Sequence, residues 1–257
     1  MQFIDAHNHL QKLPPASVAG VLENSRMAGV IAMAVNATGP DDWDAVEHLS
    51  IAHGGIIIPC FGVHPWCTDW LGPDWRKDLR SRLEKRPSCV GEIGLDKAHD
   101  GTDLTVQYKI FTQQLEIAAE LERPAVIHCV RSWGPLMQAL QAKRPRRFML
   151  HAYTGAAELI PVLARLGGYF SFTGELENAG RVRLRKALAA APRDRLLFET
   201  ESPAQDTVNA PWGAGPQCMA KVVTTAAAIL NMRAEDLAET TRSNSFNFFG
   251  DALPQLP

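Results

Sequence analysis

The sequence predicts an α/β fold, a single (β/α)8 or TIM barrel, on two observations. Eight short apolar, β-rich runs alternate with segments of helical period, and the chain has 257 residues, near the ~250 typical of such a barrel. The runs are Gln2–Asp5, Val30–Val35, Ile56–Gly62, Cys89–Ile93, Ala125–Cys129, Phe148–His151, Tyr169–Phe172 and Leu196–Phe198. They are apolar on both faces, the pattern of parallel strands covered by helices rather than of a half-wet antiparallel sheet. The clearest helix spans Leu104 to Glu122, where Leu104, Tyr108, Phe111, Leu115 and Ala118 form one stripe. A later one puts Met219, Val222, Val223, Ala226, Ala227 and Leu230 on one face. The Pro- and Gly-rich stretches Leu13–Gly20 and Ala210–Gln217 read as loops, and no repeat or linker interrupts the pattern. Residues 1–257 are therefore read as one domain.

Composition narrows the function classes. A hydrophobic content of 46% supplies a large core, and 26 Lys and Arg against 28 Asp and Glu give a formal net charge of −2. No overall basic field exists to hold a long nucleic acid, so a polyanionic substrate would have to be gripped locally. Five cysteines without CxxC spacing read as reduced thiols. The longest apolar stretches, such as Gly29 to Val35, are far below the ~18 residues that a membrane span requires. With no basic segment leading an apolar one at the start, the expectation is a cytoplasmic protein.

In a barrel of this type the functional side chains project from the C-terminal ends of the strands. That is where metal-binding residue types recur. Asp5-Ala6-His7-Asn8-His9 follows the first run, Glu92 and Asp96 lie in Gly91-Glu92-Ile93-Gly94-Leu95-Asp96, His128 and His151 end the fifth and sixth runs, and Glu199 and Glu201 follow the eighth. Residues two apart on a strand share a face, so His7 and His9 can grip one cation while Asp5 lies one pleat deeper. A single histidine after a strand is usually a hydrogen-bonded structural group. Four in order at one end of a barrel turn the reading to metal ligands: His7, His9, His128 and His151, with Glu92 and Glu201 as carboxylates. Imidazole favours zinc, and the carboxylates admit manganese or magnesium. Two cations ~3.5–4 Å apart would share a carboxylate, acidify a bound water and clamp the oxygens of a substrate undergoing displacement. Glu92 and Glu201 are the expected catalytic carboxylates. Glu199, deeper on its strand, and Asp5 and Asp96 are expected to sit behind the ligands and orient them. His64, before Pro65, either meets substrate or shapes a turn. Trp66 follows the third run and is placed to stack a base or sugar. His48, His53 and His99 have no matching partner and are expected in solvent, and Cys129 under a helix. The basic runs Arg144–Arg147 and Arg181–Lys186 read as the far face of the barrel and a solvated helix face.

At these residues the chain resembles the TatD-like metal-dependent hydrolases of the amidohydrolase superfamily. The likeness runs from the opening Asp5–Leu10 through Gly62-Val63-His64-Pro65, Gly91–Asp96, Val126-Ile127-His128-Cys129, His151–Gly155 and Glu199-Thr200-Glu201-Ser202-Pro203 to the closing Asn247-Phe248-Phe249-Gly250. The resemblance implies a barrel with two or three divalent cations and hydrolysis of phosphodiesters, several members being DNases. It also implies one metal on His7, His9 and Glu92, a second on Glu92, His128 and His151, and His64 facing the substrate phosphate. Glu201 stands where the family has Asp, Gln11 where it has Asp, and Lys97 where an aromatic is frequent. The family's Arg-Asn-Glu-Pro survives as Val208-Asn209-Ala210-Pro211, which leaves Asn209 as that loop's remaining substrate donor. Three readings follow: a phosphodiesterase or deoxyribonuclease that trims a single-stranded DNA end with a metal-bound water, a metal-dependent hydrolase of a small amide or ester, and a barrel that binds without catalysis.

Overall fold

All eight apolar runs are strands in the computed structural model, which describes residues 1–101, 103–203 and 215–255. The strands are β1 (Phe3–Asn8), β2 (Val30–Asn36), β3 (Ile57–Phe61), β4 (Cys89–Asp96), β5 (Ala125–Val130), β6 (Phe148–Leu150), β7 (Gly168–Phe172) and β8 (Leu196–Phe198). Between and after them run α1 (Pro15–Met27), α2 (Pro40–Ala52), α3 (Trp75–Lys85), α4 (Leu104–Glu120), α5 (Trp133–Ala142), α6 (Ile160–Arg165), α7 (Val182–Ala190), α8 (Met219–Leu230) and α9 (Ala234–Phe249). Local chemistry sets several boundaries. Pro15 and Pro40 open α1 and α2 at positions where a missing N–H costs nothing. Asp103 caps α4 by accepting from the Thr105 N–H. Asn231 ends α8 in the left-handed conformation, φ 52°.

The sheet runs β1 to β8 in sequence order, each neighbour parallel. Among the described residues no strand pairing joins β8 back to β1. The residues after β8 close the seam instead: the Glu201 N–H donates to the His7 carbonyl at 3.1 Å and the His9 N–H to the Ser202 carbonyl at 2.7 Å. Inside the barrel, small Ala6, Ala32 and Ala34 face large Met149 and Tyr169, and Phe248 and Phe249 of α9 plug the end opposite the site. The Phe248 ring lies 5.2 Å from that of Tyr169. A second apolar layer joins strands to helices, where Phe111 and Leu115 of α4 are fully buried, each contributing roughly 1.5–3 kcal/mol. No helix of the described residues is long and apolar enough to cross a membrane.

Two strands depart from the sequence expectation, and both carry site residues. β1 reaches Asn8, and its register with β2 is irregular between Asp5 and Asn8. β4 runs on to Asp96 because Gly94, Leu95 and Asp96 pair with His128, Cys129 and Val130, and its register is irregular between Val90 and Ile93. His7 and Glu92 thus lie within their strands, inside the irregular segments, where a break in the pleat re-aims side chains. Gly94, at φ 154°, allows the close approach of β4 to β5: a Cβ there would collide with the His128 carbonyl oxygen.

Candidate metal centre

Glu92 is 2% exposed and lies among five imidazoles. Its Oε2 is 3.5 Å from His7 Nε2 and 3.3 Å from His9 Nε2. Its Oε1 is 2.8 Å from His151 Nε2, 3.1 Å from His128 Nδ1 and 3.2 Å from His64 Nε2. Strands β1, β4 and β5 and the turns after β3 and β6 therefore meet at one carboxylate. Glu201, 32% exposed and at φ 57°, adds Oε2 at 3.5 Å from His7 and 3.3 Å from His151, and Oε1 at 3.6 Å from His9. Donor atoms converge in overlapping sets: His7, His9 and Glu201; His7, Glu92 and His151; His64, Glu92 and His128; His151, Glu199 and Glu201.

The groups behind the cluster decide which ring nitrogens can bind a cation. His9 Nδ1 lies 2.7 Å from the Asn36 carbonyl. A carbonyl only accepts, so Nδ1 holds the proton and the Nε2 lone pair faces Glu92. Gln11 donates to the same carbonyl at 2.7 Å and to Asp42 at 3.0 Å, which gives this departure from the family pattern a structural use. His128 Nε2 is 3.3 Å from Asp96 Oδ2, so its Nδ1 faces inward. His64 is the reverse case. Its Nδ1 accepts from the Trp66 backbone N–H at 3.3 Å, so in the neutral ring Nε2 carries the proton and donates toward Glu92. Burial pushes the His64 pKa down to about 4, outweighing the nearby Glu92 charge, and keeps the ring neutral. Glu199, fully buried, accepts from the Ala152 N–H and the Ser171 hydroxyl, both at 2.6 Å, and so holds the turn that carries His151. Asp5 takes the Thr200 N–H at 2.9 Å and the Thr200 hydroxyl at 2.7 Å.

The cluster fits cations. His7 Nε2 and His9 Nε2 are 3.2 Å apart, and His128 Nδ1 and His151 Nε2 are 3.1 Å apart. Lone pairs this close, with His7 Nδ1, His151 Nδ1 and Glu201 Oε2 buried without a hydrogen-bond partner, call for positive charge between them. Burial would raise the Glu92 pKa, yet the charges of His151 and His7 and a hydrogen bond from His128 hold it well below the usual carboxylate range. Metal ions would take over that role from protons.

A cavity of about 150 Å³ opens onto the cluster and is lined by Lys12, Thr38, Trp66 and Cys67 besides His9, His64, Glu92, His128 and Glu201. Nothing local in the sequence marks Lys12, Thr38 or Cys67, each an ordinary loop residue until the turns after β1, β2 and β3 are brought together. His99 corrects an expectation: it is half-buried and stacks on Trp66, ring centroids 4.8 Å apart and planes at 21°. His53 is also half-buried, and His48 is exposed. Arg181 is exposed, as expected of the solvated run. It sits before α7 on the loop after β7, at the site end of the barrel, pairs with Glu175 at 3.1 Å, and lines a separate cavity with Arg183 and Thr154. Arg147 lies at the far end, where it donates to the Asn247 carbonyl of α9. Asn209, with the rest of its loop, lies outside the described residues.

Comparison with known proteins agrees with this geometry. The family model described as TatD related DNase matches residues 4–250. The chain is 26% identical to "Deoxyribonuclease TATDN3" of Homo sapiens over 96% of its own length and 94% of that protein. It is 32% identical to "3'-5' ssDNA/RNA exonuclease TatD" of Erwinia tasmaniensis, over 71% of this chain and 72% of that one. The crystal structure of YjjV, a TatD homologue from Escherichia coli K12, superposes with a TM-score of 0.88 at 25% identity, covering 99% of this chain and 98% of the other. The chain belongs to the TatD-related DNase family of metal-dependent hydrolases.

Proposed function

We propose that the protein is a phosphodiesterase that removes nucleotides from a single-stranded DNA or RNA end. The observation that carries this reading is Glu92, whose two oxygens each face a separate group of imidazoles at the floor of an open cavity. That is the donor arrangement of a shared carboxylate between two divalent cations. His7, His9, Glu92 and Glu201 would hold one cation, and Glu92, His128 and His151 another. Zinc suits the imidazole-rich set, and manganese or magnesium suits the carboxylates. Bound there, the cations supply charge for the phosphoryl oxygens and a water acidic enough to attack.

The chain's own residues divide the remaining work. Glu201, half-exposed at the cavity, takes the proton of the attacking water. His64, neutral with its Nε2 proton facing Glu92 Oε1 at 3.2 Å on the cavity wall, is positioned to share that proton with a phosphate oxygen. Lys12 is the one lysine or arginine among the described residues lining that cavity and faces the anion of the substrate. Asn209 is proposed to hydrogen-bond the substrate, and Trp66 forms a cavity wall against which a base or sugar can lie. The exonuclease named among the relatives supports a nucleic-acid end as the substrate.

The test is a substrate panel on zinc- or manganese-loaded protein: end-labelled single-stranded and duplex oligonucleotides, simple phosphodiesters, and acyl esters and amides. Stepwise shortening of single strands, inhibited competitively by inorganic phosphate, is the expected result. Turnover of acyl compounds alone, with no phosphate inhibition, replaces this reading with small-molecule ester or amide hydrolysis.

A further inference from the structure

Trp66 reaches two of the clustered histidines through two different N–H groups, His64 directly and His128 by way of Asp96. Its backbone N–H donates to His64 Nδ1 at 3.3 Å. Its indole N–H donates at 2.8 Å to Asp96 Oδ2, the same oxygen that lies 3.3 Å from His128 Nε2. The consequences for the two rings are opposite. His64 is left with its proton on Nε2, facing Glu92 Oε1 at 3.2 Å, so it is a donor. His128 keeps its proton on Nε2, where it donates to Asp96, and presents a bare Nδ1 at 3.1 Å from the same Glu92 oxygen, so it is a ligand.

Asp96 is otherwise fixed at its other oxygen and its backbone. Oδ1 accepts from the Ala98 N–H at 2.8 Å, and the Asp96 N–H and carbonyl are bracketed by the Gln107 side chain at 2.7 and 3.0 Å. Oδ2 depends on Trp66 for its direction. The indole is held in turn by His99, stacked on one ring face, and by the edge of His64, with centroids 4.8 Å apart and planes at 85°. One of the two faces open to a substrate ring is thus already covered.

We propose that Trp66 is a positioning residue that assigns the two neighbouring histidines different roles, His64 as hydrogen-bond donor and His128 as cation ligand, the second through Asp96. This rests on the metal-centre reading above and adds to it the residue that selects the ligating nitrogen. Carboxylate partners of ligating histidines typically matter 10–100-fold in metal affinity, and an indole that orients such a carboxylate acts on the same quantity.

The experiment uses the full chain stripped of metal and titrated with zinc(II) against a competing chelator. Trp66→Phe keeps an aromatic ring and the backbone N–H and deletes the indole N–H donor together with the five-membered ring that carries it. The expected result is about a tenfold loss in one class of zinc site, with the other class unchanged. The same loss should vanish when Asp96 is already Asn, since a double-mutant cycle reports only the shared path. On metal-saturated protein, the inhibition constant for inorganic phosphate should be unchanged, because the backbone N–H to His64 remains. Should Trp66→Phe not fold, His99→Ala, which keeps the indole N–H but removes its support, is expected to give a smaller loss, again absent with Asp96→Asn. Unchanged zinc affinity in Trp66→Phe, or a loss of equal size with Asp96→Asn, overturns the inference while leaving the metal centre standing. Wild-type protein that takes up less than one zinc per chain overturns both.

Discussion

Thr200 donates twice to Asp5, from its backbone N–H to Oδ1 at 2.9 Å and from its hydroxyl to Oδ2 at 2.7 Å, and the pair bridges the one seam where strand pairing is absent among the described residues. Asp5 is fully buried and lies two residues before His7; Thr200 lies one before Glu201. The contact therefore fixes both sides of the His7, His9 and Glu201 set. Burial drives the Asp5 pKa up to about 7 even though Thr200 and Asn8 donate to it, so each donor counts. Thr200→Val should lower stability by about 1 kcal/mol, the usual net worth of one hydrogen bond, since Asn8 still donates to Oδ2 at 3.1 Å and the backbone N–H to Oδ1. Thr200→Ser should lose less. Urea unfolding of the metal-free protein, read as a midpoint shift at constant slope, checks both.

Glu92 is the residue whose loss should be felt across the whole centre. Removing His151 or His9 deletes one donor from one side, whereas Glu92→Gln weakens both sides and leaves five imidazoles facing one another. Metal analysis of dialysed Glu92→Gln protein should give less than one cation per chain, against two or more in the parent. The metal-free variant should lose stability, on the order of 3–5 kcal/mol, since the lowered Glu92 pKa marks its charge as stabilising and its loss leaves protonated imidazoles buried without their counter-charge. Retention of two cations would show that Glu92 is not shared between them.

Much of this was legible in the sequence, for an identifiable reason. Strands buried on both faces read as unbroken apolar runs, so all eight appeared, and the residues ending them, His128 and Glu201 among them, converge as expected of a barrel mouth. Contacts set between loops were not legible. Nothing local marks Asn36 as the acceptor that orients His9, His99 as the support of Trp66, or Thr200 as the partner of Asp5, 195 positions away. The extension of β4 to Asp96 depends on the pairing of Gly94, Leu95 and Asp96 with β5, a tertiary effect that the apolar run ending at Ile93 does not contain. Arg181 is exposed, as its run with α7 suggests, but it precedes the first turn and so lies at the site side, which the periodicity does not show.

Protons and cations should compete for the centre. Burial works to lower the His9 pKa, but hydrogen bonds to Glu201 and Glu92 raise it from 6.5 to about 9. His151 is likewise held well above its ordinary value, burial being outweighed by the Glu92 charge and by Glu199 and Glu201. Both rings are cationic at neutral pH without metal and must lose their protons to ligate. Zinc uptake should release roughly two protons, and affinity should fall as pH falls; calorimetry in buffers of different ionisation enthalpy reads this directly. For the metal-free protein, the raised His9 pKa adds stability that is complete below about 6.5 and is lost as pH rises through about 9. The lowered Glu92 pKa adds stability present above 4.5 and lost as pH falls through its folded value. Metal-free protein should therefore melt at steadily lower temperature from pH 6.5 to 9, and zinc-loaded protein should not. A flat profile for the metal-free form would show that the histidines are not protonated there.

Glu201 carries the last prediction, because it is the family position at which this chain is one methylene longer. Its carboxylate reaches His7, His9 and His151 at 3.3 to 3.6 Å while its backbone stands at φ 57°, a region that aspartate and asparagine enter more readily than glutamate. The longer arm therefore combines an unfavourable backbone with an extra rotor to immobilise. Glu201→Gln should cut turnover on the order of 100-fold or more, as for loss of a positioned base, with a smaller effect on KM. Glu201→Asp keeps the charge and eases the backbone, so it should retain far more activity than Glu201→Gln and match or exceed the parent in thermal stability. Single-turnover rates on a single-stranded oligonucleotide, with cation content measured on the same samples, distinguish proton transfer from ligand loss. If Glu201→Gln turns over at the parent rate with its cations in place, the proton leaves by another group, and Glu199, locked by Ala152 and Ser171 at 2.6 Å, is too firmly held to be that group without movement of the turn after β6.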